Sequence, residues 1–180
     1  NFPVYLFCGR MMYTFVVGGA ATIMRAFLTN GGLMRKTRIP YYMFPLANFA
    51  SVFVDLLFSF VAFAIVLLFT WTPVSIHIIA LPAVIAQASM FLMGLGLLLA
   101  LANVYIRDIG HLYNVFTVAW MYLTPLFYPL ESLSEGMQVF ISTVNPLYDY
   151  IVQMRDIFLN NTWPTPIHFI RGTVFGVVLA

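Results

Sequence analysis

Charge is scarce in this sequence. Lysine and arginine number 8 and aspartate and glutamate 6 among 180 residues, and between Ile39 and Ile106 the only formal charge is Asp55. No ordinary soluble domain carries so little, and a chain spent on apolar runs leaves no room for a separate soluble catalytic core. The net charge of +2 is no signal of nucleic acid as a partner. Cysteine is nearly absent too: Cys8 stands alone in an apolar run, which excludes an internal disulfide and fits a buried small hydrophobe. His77, His111 and His168 lie far apart, with no His-Glu-x-x-His and no Cys/His cluster, so neither a metal nor another cofactor is expected. There is no Gly-x-Ser-x-Gly elbow, which argues against an enzyme of that class. There is also no Gly-x-x-x-x-Gly-Lys-Ser/Thr phosphate loop, so any nucleotide energy must come from a partner.

What remains is apolar: 62% of residues are hydrophobic, 17% are aromatic, and the mean hydropathy is +0.95. The runs are too long for barrel strands and lack sustained alternation, which predicts an all-α, polytopic helical bundle in one transmembrane domain. The expected spans are about 3–27, 43–69, 76–104, 112–127 and 167–180, separated by Asn30-Gly31-Gly32 with Pro40, Trp71-Thr72-Pro73, Arg107-Asp108, and Pro125 with Pro129. The chain begins at Asn1 and stops inside an apolar run, so a fragment is expected. Arg25, Arg35, Lys36 and Arg38 cluster after the first span and Arg107 follows the third, which places both loops in the cytoplasm. The outer stretch from Tyr128 to Pro166 holds two short apolar segments, Gly136 to Leu147 and Tyr150 to Leu159. They are expected to be re-entrant or interfacial helices, or equally a surface cap of two amphipathic helices.

Polar residues inside the spans offer the candidate sites. Asn48, Ser51, Asp55 and Ser59 share one face of the second span, with Asp55 expected to face protein. This stripe reads as interhelical glue rather than a proton relay, since no further ionisable group accompanies Asp55; Ser89, Gly96, Ala100 and Asn103 on the third span form the expected mate. On the fourth span Tyr113, Phe116, Trp120 and Phe127 fall in one helical sector with Thr124 nearby, forming either a binding path or a packing face. Arg10 lies 15 residues before Arg25, about 22 Å of helix, where it either snorkels to headgroups or meets an anionic ligand. Asp108 is placed to cap the fourth span while Arg107 anchors its boundary.

Four motifs in order resemble one family. Gly32-Leu33-Met34-Arg35-Lys36 leading to Pro40 and Phe44-Pro45, Asn103 to Ile109 with its Arg107-Asp108, Leu123-Thr124-Pro125-Leu126-Phe127-Tyr128-Pro129, and Asn145-Pro146-Leu147 with Arg155-Asp156 are similar to segments of polysaccharide-export ABC transporter permeases. The resemblance covers nearly the whole chain. It departs at Gly32, where the family commonly has Asn, at Arg38, often an aromatic there, and at Arg10, in a place usually apolar.

The resemblance implies a permease without catalytic chemistry of its own, in a bacterial or archaeal cytoplasmic membrane. Its implied partners are membrane lipids, a second copy of itself, a cytoplasmic ATP-binding subunit and a lipid-linked polysaccharide or teichoic acid. It makes residues 28–39 a coupling helix with Leu33, Arg35, Lys36 and Arg38 against the ATPase, where charge alone supports equally a positive-inside anchor. Pro40, Pro45, Asp55, Asn103, Arg107, Asp108, Pro125, Asn145, Pro146 and Arg155 are the residues it marks as structural. A drug or small-molecule exporter of the same fold, a membrane-embedded lipid-linked sugar transferase and a scaffold protein are the other readings, the transferase needing paired carboxylates or a metal cluster near an interface.

Overall fold

A computed structural model describes every residue except 1, 30, 33–39, 72–74, 129, 131–132 and 180. Among the described residues the chain is helical, with no strand. Helix α1 runs Phe2–Met24 and is followed by the short α2, Ala26–Thr29. Then come α3, Met43–Phe69; α4, Leu81–Tyr105, entered through a 3-10 turn at Ile76–Ala80; and α5, Ile109–Leu123. Two short helices, α6 (Glu135–Val144) and α7 (Pro146–Arg155), precede α8, Pro166–Leu179.

Among the described residues three helices are long and apolar enough to cross a bilayer: Phe2–Met24, Met43–Phe69 and Ile76–Tyr105, of 23, 27 and 30 residues. At about 1.5 Å per residue each exceeds or matches the roughly 30 Å hydrocarbon core. Helix α5 is shorter. Its 15 residues reach about 22 Å, because Thr124, at φ −94° and ψ 127°, is held extended by the following Pro125. The expected span to residue 127 therefore contains a helix that stops at Leu123.

Burial separates the helices by role. In its most apolar window α1 is 61% buried, whereas α3 is 17% buried, so α1 is central and α3 peripheral. The first half of α1 packs on α7 and its second half on α4; α8 packs on both α4 and α7. Glycine makes the α1–α4 crossing close, since a Cβ on Gly96 would lie 2.9 Å from the Ile23 Cβ, and one on Gly19 would lie 2.7 Å from Val52 Cγ1 of α3. Asn103, at the same crossing, donates from Nδ2 to the Met24 carbonyl at 3.5 Å. The small face of α4 is thus the mate of α1. The polar stripe of α3 does not meet it, and the expected pairing of Asp55 with that face is corrected.

Of the two short helices, α6 is largely exposed while α7 is buried within the bundle. The link between them is organised by Asn145. Its Oδ1 accepts from the Leu147 amide at 3.2 Å, capping α7, and from Trp120 Nε1 at 3.0 Å; its Nδ2 donates to Thr124 Oγ1 at 2.9 Å. Pro146 supplies the first residue of α7, where a missing amide costs nothing. Asp149 is fully buried on α7 and meets His168 Nδ1 of α8 at 2.6 Å and Arg171 Nε at 3.7 Å, tying the inserted helix to the last one.

Candidate functional site

One face of α1 is left open although α1 is the most buried span. Arg10, Thr14, Gly18, Thr22, Arg25 and, just beyond in α2, Thr29 are exposed and recur every three or four residues. Between Arg10 and Arg25 the line extends about 22 Å, most of the thickness of a hydrocarbon core. The regular helix widens into a π segment at Thr14–Gly18 within this line. Such bulges displace the side chains that follow and often mark functional sites.

Two grooves flank it. Toward α3, a groove of about 240 Å³ is lined by Thr14, Gly18 and Thr22 of α1 and by Asp55 and Ser59 of α3. Toward α5, one of about 220 Å³ is lined by Arg10, Thr14 and Gly18 together with Tyr113, Asn114 and Thr117. The Tyr113 hydroxyl donates to the Val17 carbonyl at 2.9 Å, and Tyr13 donates to the Thr117 carbonyl, which fixes α5 against α1. Asn48 Nδ2 donates to the Thr22 carbonyl at 3.0 Å, fixing the N-terminal end of α3. The Ser51 and Ser59 hydroxyls bond back to Ala47 and Asp55 carbonyls of their own helix. The Asp55 carboxylate is open to the groove and has no hydrogen-bond or ion-pair partner among the described residues. The Thr22 and Thr117 hydroxyls bond back to the Gly18 and Asn114 carbonyls of their own helices, which satisfies them. The Asp55 carboxylate, an unpaired charge, cannot lie against lipid and requires water or protein over it.

The candidate residues divide accordingly. Arg10 and Tyr113 line the same groove. Phe116 and Trp120, with ring centres 5.3 Å apart, sit about a quarter turn from the groove-lining side of α5 at about 100° per residue. Thr124 is buried, donating to the Trp120 carbonyl at 2.8 Å, and Phe127 lies past the helix end, so the periodicity that joined it to Tyr113 does not reach it. Asp108 occupies the N-cap position of α5 without a side-chain capping bond, contrary to the expected cap, and Arg107 is exposed beside it. Pro40 is exposed and accepts from the Met43 amide at 3.1 Å, while Pro45 is buried in the first turn of α3. Arg155 is buried and donates to the Pro125 and Leu126 carbonyls at 2.9 and 3.3 Å, which fastens the broken end of α5. Leu33, Arg35, Lys36 and Arg38, and with them most of the expected coupling segment 28–39, lie outside the described residues. Thr14, Gly18, Thr22, Asn114 and Thr117 escaped the sequence reading, although a spacing of four in an apolar run was the available signal.

Comparison with known proteins agrees with this architecture. An O-antigen export system permease protein RfbA of Klebsiella pneumoniae is 25% identical over 164 residues, 90% of this chain and 62% of its own length. One of Myxococcus xanthus is 28% identical over 99% of this chain and 69% of its own length, and a second from Klebsiella pneumoniae is 22% identical over 99% and 70%. This chain therefore spans less than two thirds of the first of these relatives. The model of the ABC-2 type transporter family matches residues 2–159. With a helical bundle, three helices suited to crossing a membrane and a match over most of its length, the chain belongs to the ABC-2 type transporter family.

Proposed function

We propose that the chain is the permease subunit of an ATP-driven exporter that moves a lipid-linked polysaccharide, of the O-antigen or teichoic acid kind, across a bacterial or archaeal cytoplasmic membrane. The polar face of α1 carries this reading. A second copy facing it would close the two grooves into a water-filled path, lined by the hydroxyls of Thr14, Thr22 and Thr117, the Asn114 amide and the Tyr113 ring. Such groups bind sugar hydroxyls weakly and repeatedly, and weak, repeated contacts suit a moving chain. Arg10 would add a charged donor fork at the outer end. The names of the relatives support the class of cargo.

The driving force comes from a separate ATP-binding subunit acting on residues 28–39 through Leu33, Arg35, Lys36 and Arg38. That segment lies between α2 and α3, so a push on it tilts α1 against α3, and the groove holding Asp55 opens or narrows. Phe116, exposed on α5, lies at the margin of this path.

The test is a pair of plugs. Thr14→Trp and Thr117→Trp, one on each wall, should abolish surface glycan while membrane level and association with the ATPase stay normal. Val115→Trp, on an exposed position outside the grooves, should export normally. Normal export by both groove variants would overturn the path assignment.

A further inference from the structure

Arg25 and Arg107 lie 82 positions apart in sequence but line the same cavity, of about 340 Å³, at the end of the bundle where α1, α4 and α5 converge. His111 and Asn103 share it. Neither arginine has an ion-pair partner among the described residues, and Asp108, although adjacent to Arg107, bridges to neither. Two guanidinium groups on one small cavity raise each other's electrostatic energy and attract an anion to it. The first turn of α5 forms part of the wall through Gly110 and His111, adding the positive end of a 15-residue helix. Asn103 is an independent sign that something polar belongs there. It is 3% exposed, and its Oδ1 is buried without a donor. The cavity has room for about ten waters at about 30 Å³ each, enough for a phosphate group with some of its hydration.

Next to this basic cavity runs an apolar one. Leu28 lines both, and the second, about 700 Å³, is otherwise walled by residues such as Phe27, Tyr41, Leu101 and Val104. A cationic pocket beside an apolar groove, with Leu28 in the wall of both at the end of a helical bundle, has the form of a lipid site with headgroup and tail compartments. We propose that Arg25, Arg107 and His111 bind the phosphate headgroup of an anionic lipid whose tail lies along Leu28 and Leu101. Arginine forks match two phosphate oxygens each, so the site favours headgroups with two phosphate charges over one. The Asn103 acceptor takes a hydroxyl or a water of the same headgroup. Two sources present this chemistry: a phospholipid of the membrane and the lipid end of a cargo. The inference does not depend on the cargo being a glycan.

Native mass spectrometry of the purified protein distinguishes the outcomes. Cardiolipin, phosphatidylglycerol, an isoprenoid diphosphate and phosphatidylcholine are supplied in turn, and retained lipids are counted per chain. Cardiolipin and the isoprenoid diphosphate should be retained over phosphatidylglycerol, and phosphatidylcholine should be retained least. Arg25→Gln and Arg107→Gln should each weaken retention about tenfold, the loss of one charge-assisted hydrogen bond. Arg25→Lys, which keeps the charge, should lose less and shows that the pocket still folds. A preference for the isoprenoid diphosphate over cardiolipin assigns the pocket to cargo, and parity assigns it to membrane phospholipid; either supports a headgroup site. Retention indifferent to both glutamine variants, or phosphatidylcholine retained as strongly as cardiolipin, would overturn it.

Discussion

Replacing Arg155 with alanine should expose Cys8, the only cysteine in the chain. Arg155 closes one end of the bundle from within, where α7 meets the start of α1. Its Nη2 reaches the carbonyls of Pro125 and Leu126, and its guanidinium carbon sits 3.5 Å from the centre of the Tyr5 ring. Gly9 makes the room, since a Cβ there would lie 3.2 Å from Arg155 Nη2 and 3.1 Å from a Leu126 methyl. Burial pulls the guanidinium pKa down from its ordinary value, with the neighbouring Tyr5 pushing it back, and the group stays charged because that value is so high. Hydrogen bonds from a charged donor contribute about 1.5–3 kcal/mol, and a desolvated cation–π contact about 2 kcal/mol. Against these stands the desolvation of a charge, several kcal/mol even after relaxation, which alanine removes. Two orphaned carbonyls and a cavity tip the balance, leaving a loss of about 2 kcal/mol in local stability. Cys8 is fully buried and should label only when the N-terminal end of α1 opens. A loss of that size multiplies the open population about 30-fold, and the maleimide labelling rate should rise by the same factor, with a lower melting temperature. Arg155→Lys should fall between, because one ammonium cannot hold both carbonyls and lie flat on Tyr5. Unchanged labelling and unchanged melting in Arg155→Ala would refute the reasoning.

Four further outcomes are expected. Single cysteines at Thr37 and Glu135 in a Cys8→Ala background should label from opposite sides of the membrane; labelling from one side sinks the orientation read from the basic loops. Arg35→Glu combined with Lys36→Glu should insert normally yet lose export or uncouple ATP turnover from it, as measured by surface glycan and phosphate release together, and normal export would leave these residues as anchors only. Gly96→Ala should destabilise the α1–α4 crossing by about 1–3 kcal/mol, since the new Cβ meets the Cβ of Ile23, an atom fixed to the helix backbone. Gly136→Ala, with nothing within 4 Å on exposed α6, should instead stabilise it by about 0.5–1 kcal/mol in the same thermal assay.

The long helices were legible because a bilayer imposes a length and a composition on anything that crosses it, and Met43–Phe69 shows both without ambiguity. Their ends were less so. Apolarity continues through Phe127, but Pro125 constrains the backbone before it, and a hydropathy run carries no information about that constraint. Helix α7 was legible only as one of two alternatives, a re-entrant or interfacial helix or part of a surface cap. Asp149, Gln153 and Arg155 on it and Asp156 just after it are compatible with a surface cap, yet all four are buried. In a membrane protein the inside is not the apolar side, so the usual link from polarity to exposure fails where a short helix inserts among longer ones. Burial is stabilised there by local partners: His168 for Asp149, the His168 carbonyl for Gln153, Thr165 for Asp156.

The site was harder to see than the fold, and the aromatic residues of α5 show why. Tyr113, Phe116 and Trp120 do share a sector, but their order along one helix says nothing about what the sector faces. The structure turns the Tyr113 hydroxyl to α1 and the Trp120 nitrogen to Asn145, so two of these rings are held by the bundle. The polar line on α1 was ambiguous in another way. Thr and Gly at a spacing of four are also what close helix packing requires, and α1 carries both uses side by side: Gly19 is pressed against Val52 and Leu92, whereas Gly18, one residue earlier, would admit a Cβ with only a Thr14 methyl at 3.7 Å. Neighbouring glycines with identical sequence signals thus serve packing and opening. Only the positions of α3, α4 and α5 around α1 decide between them, and those positions follow from long-range contacts such as Asn103 with Met24 and Tyr113 with Val17. A face left uncovered after these contacts are satisfied is a property of the assembly of helices, which no single span encodes.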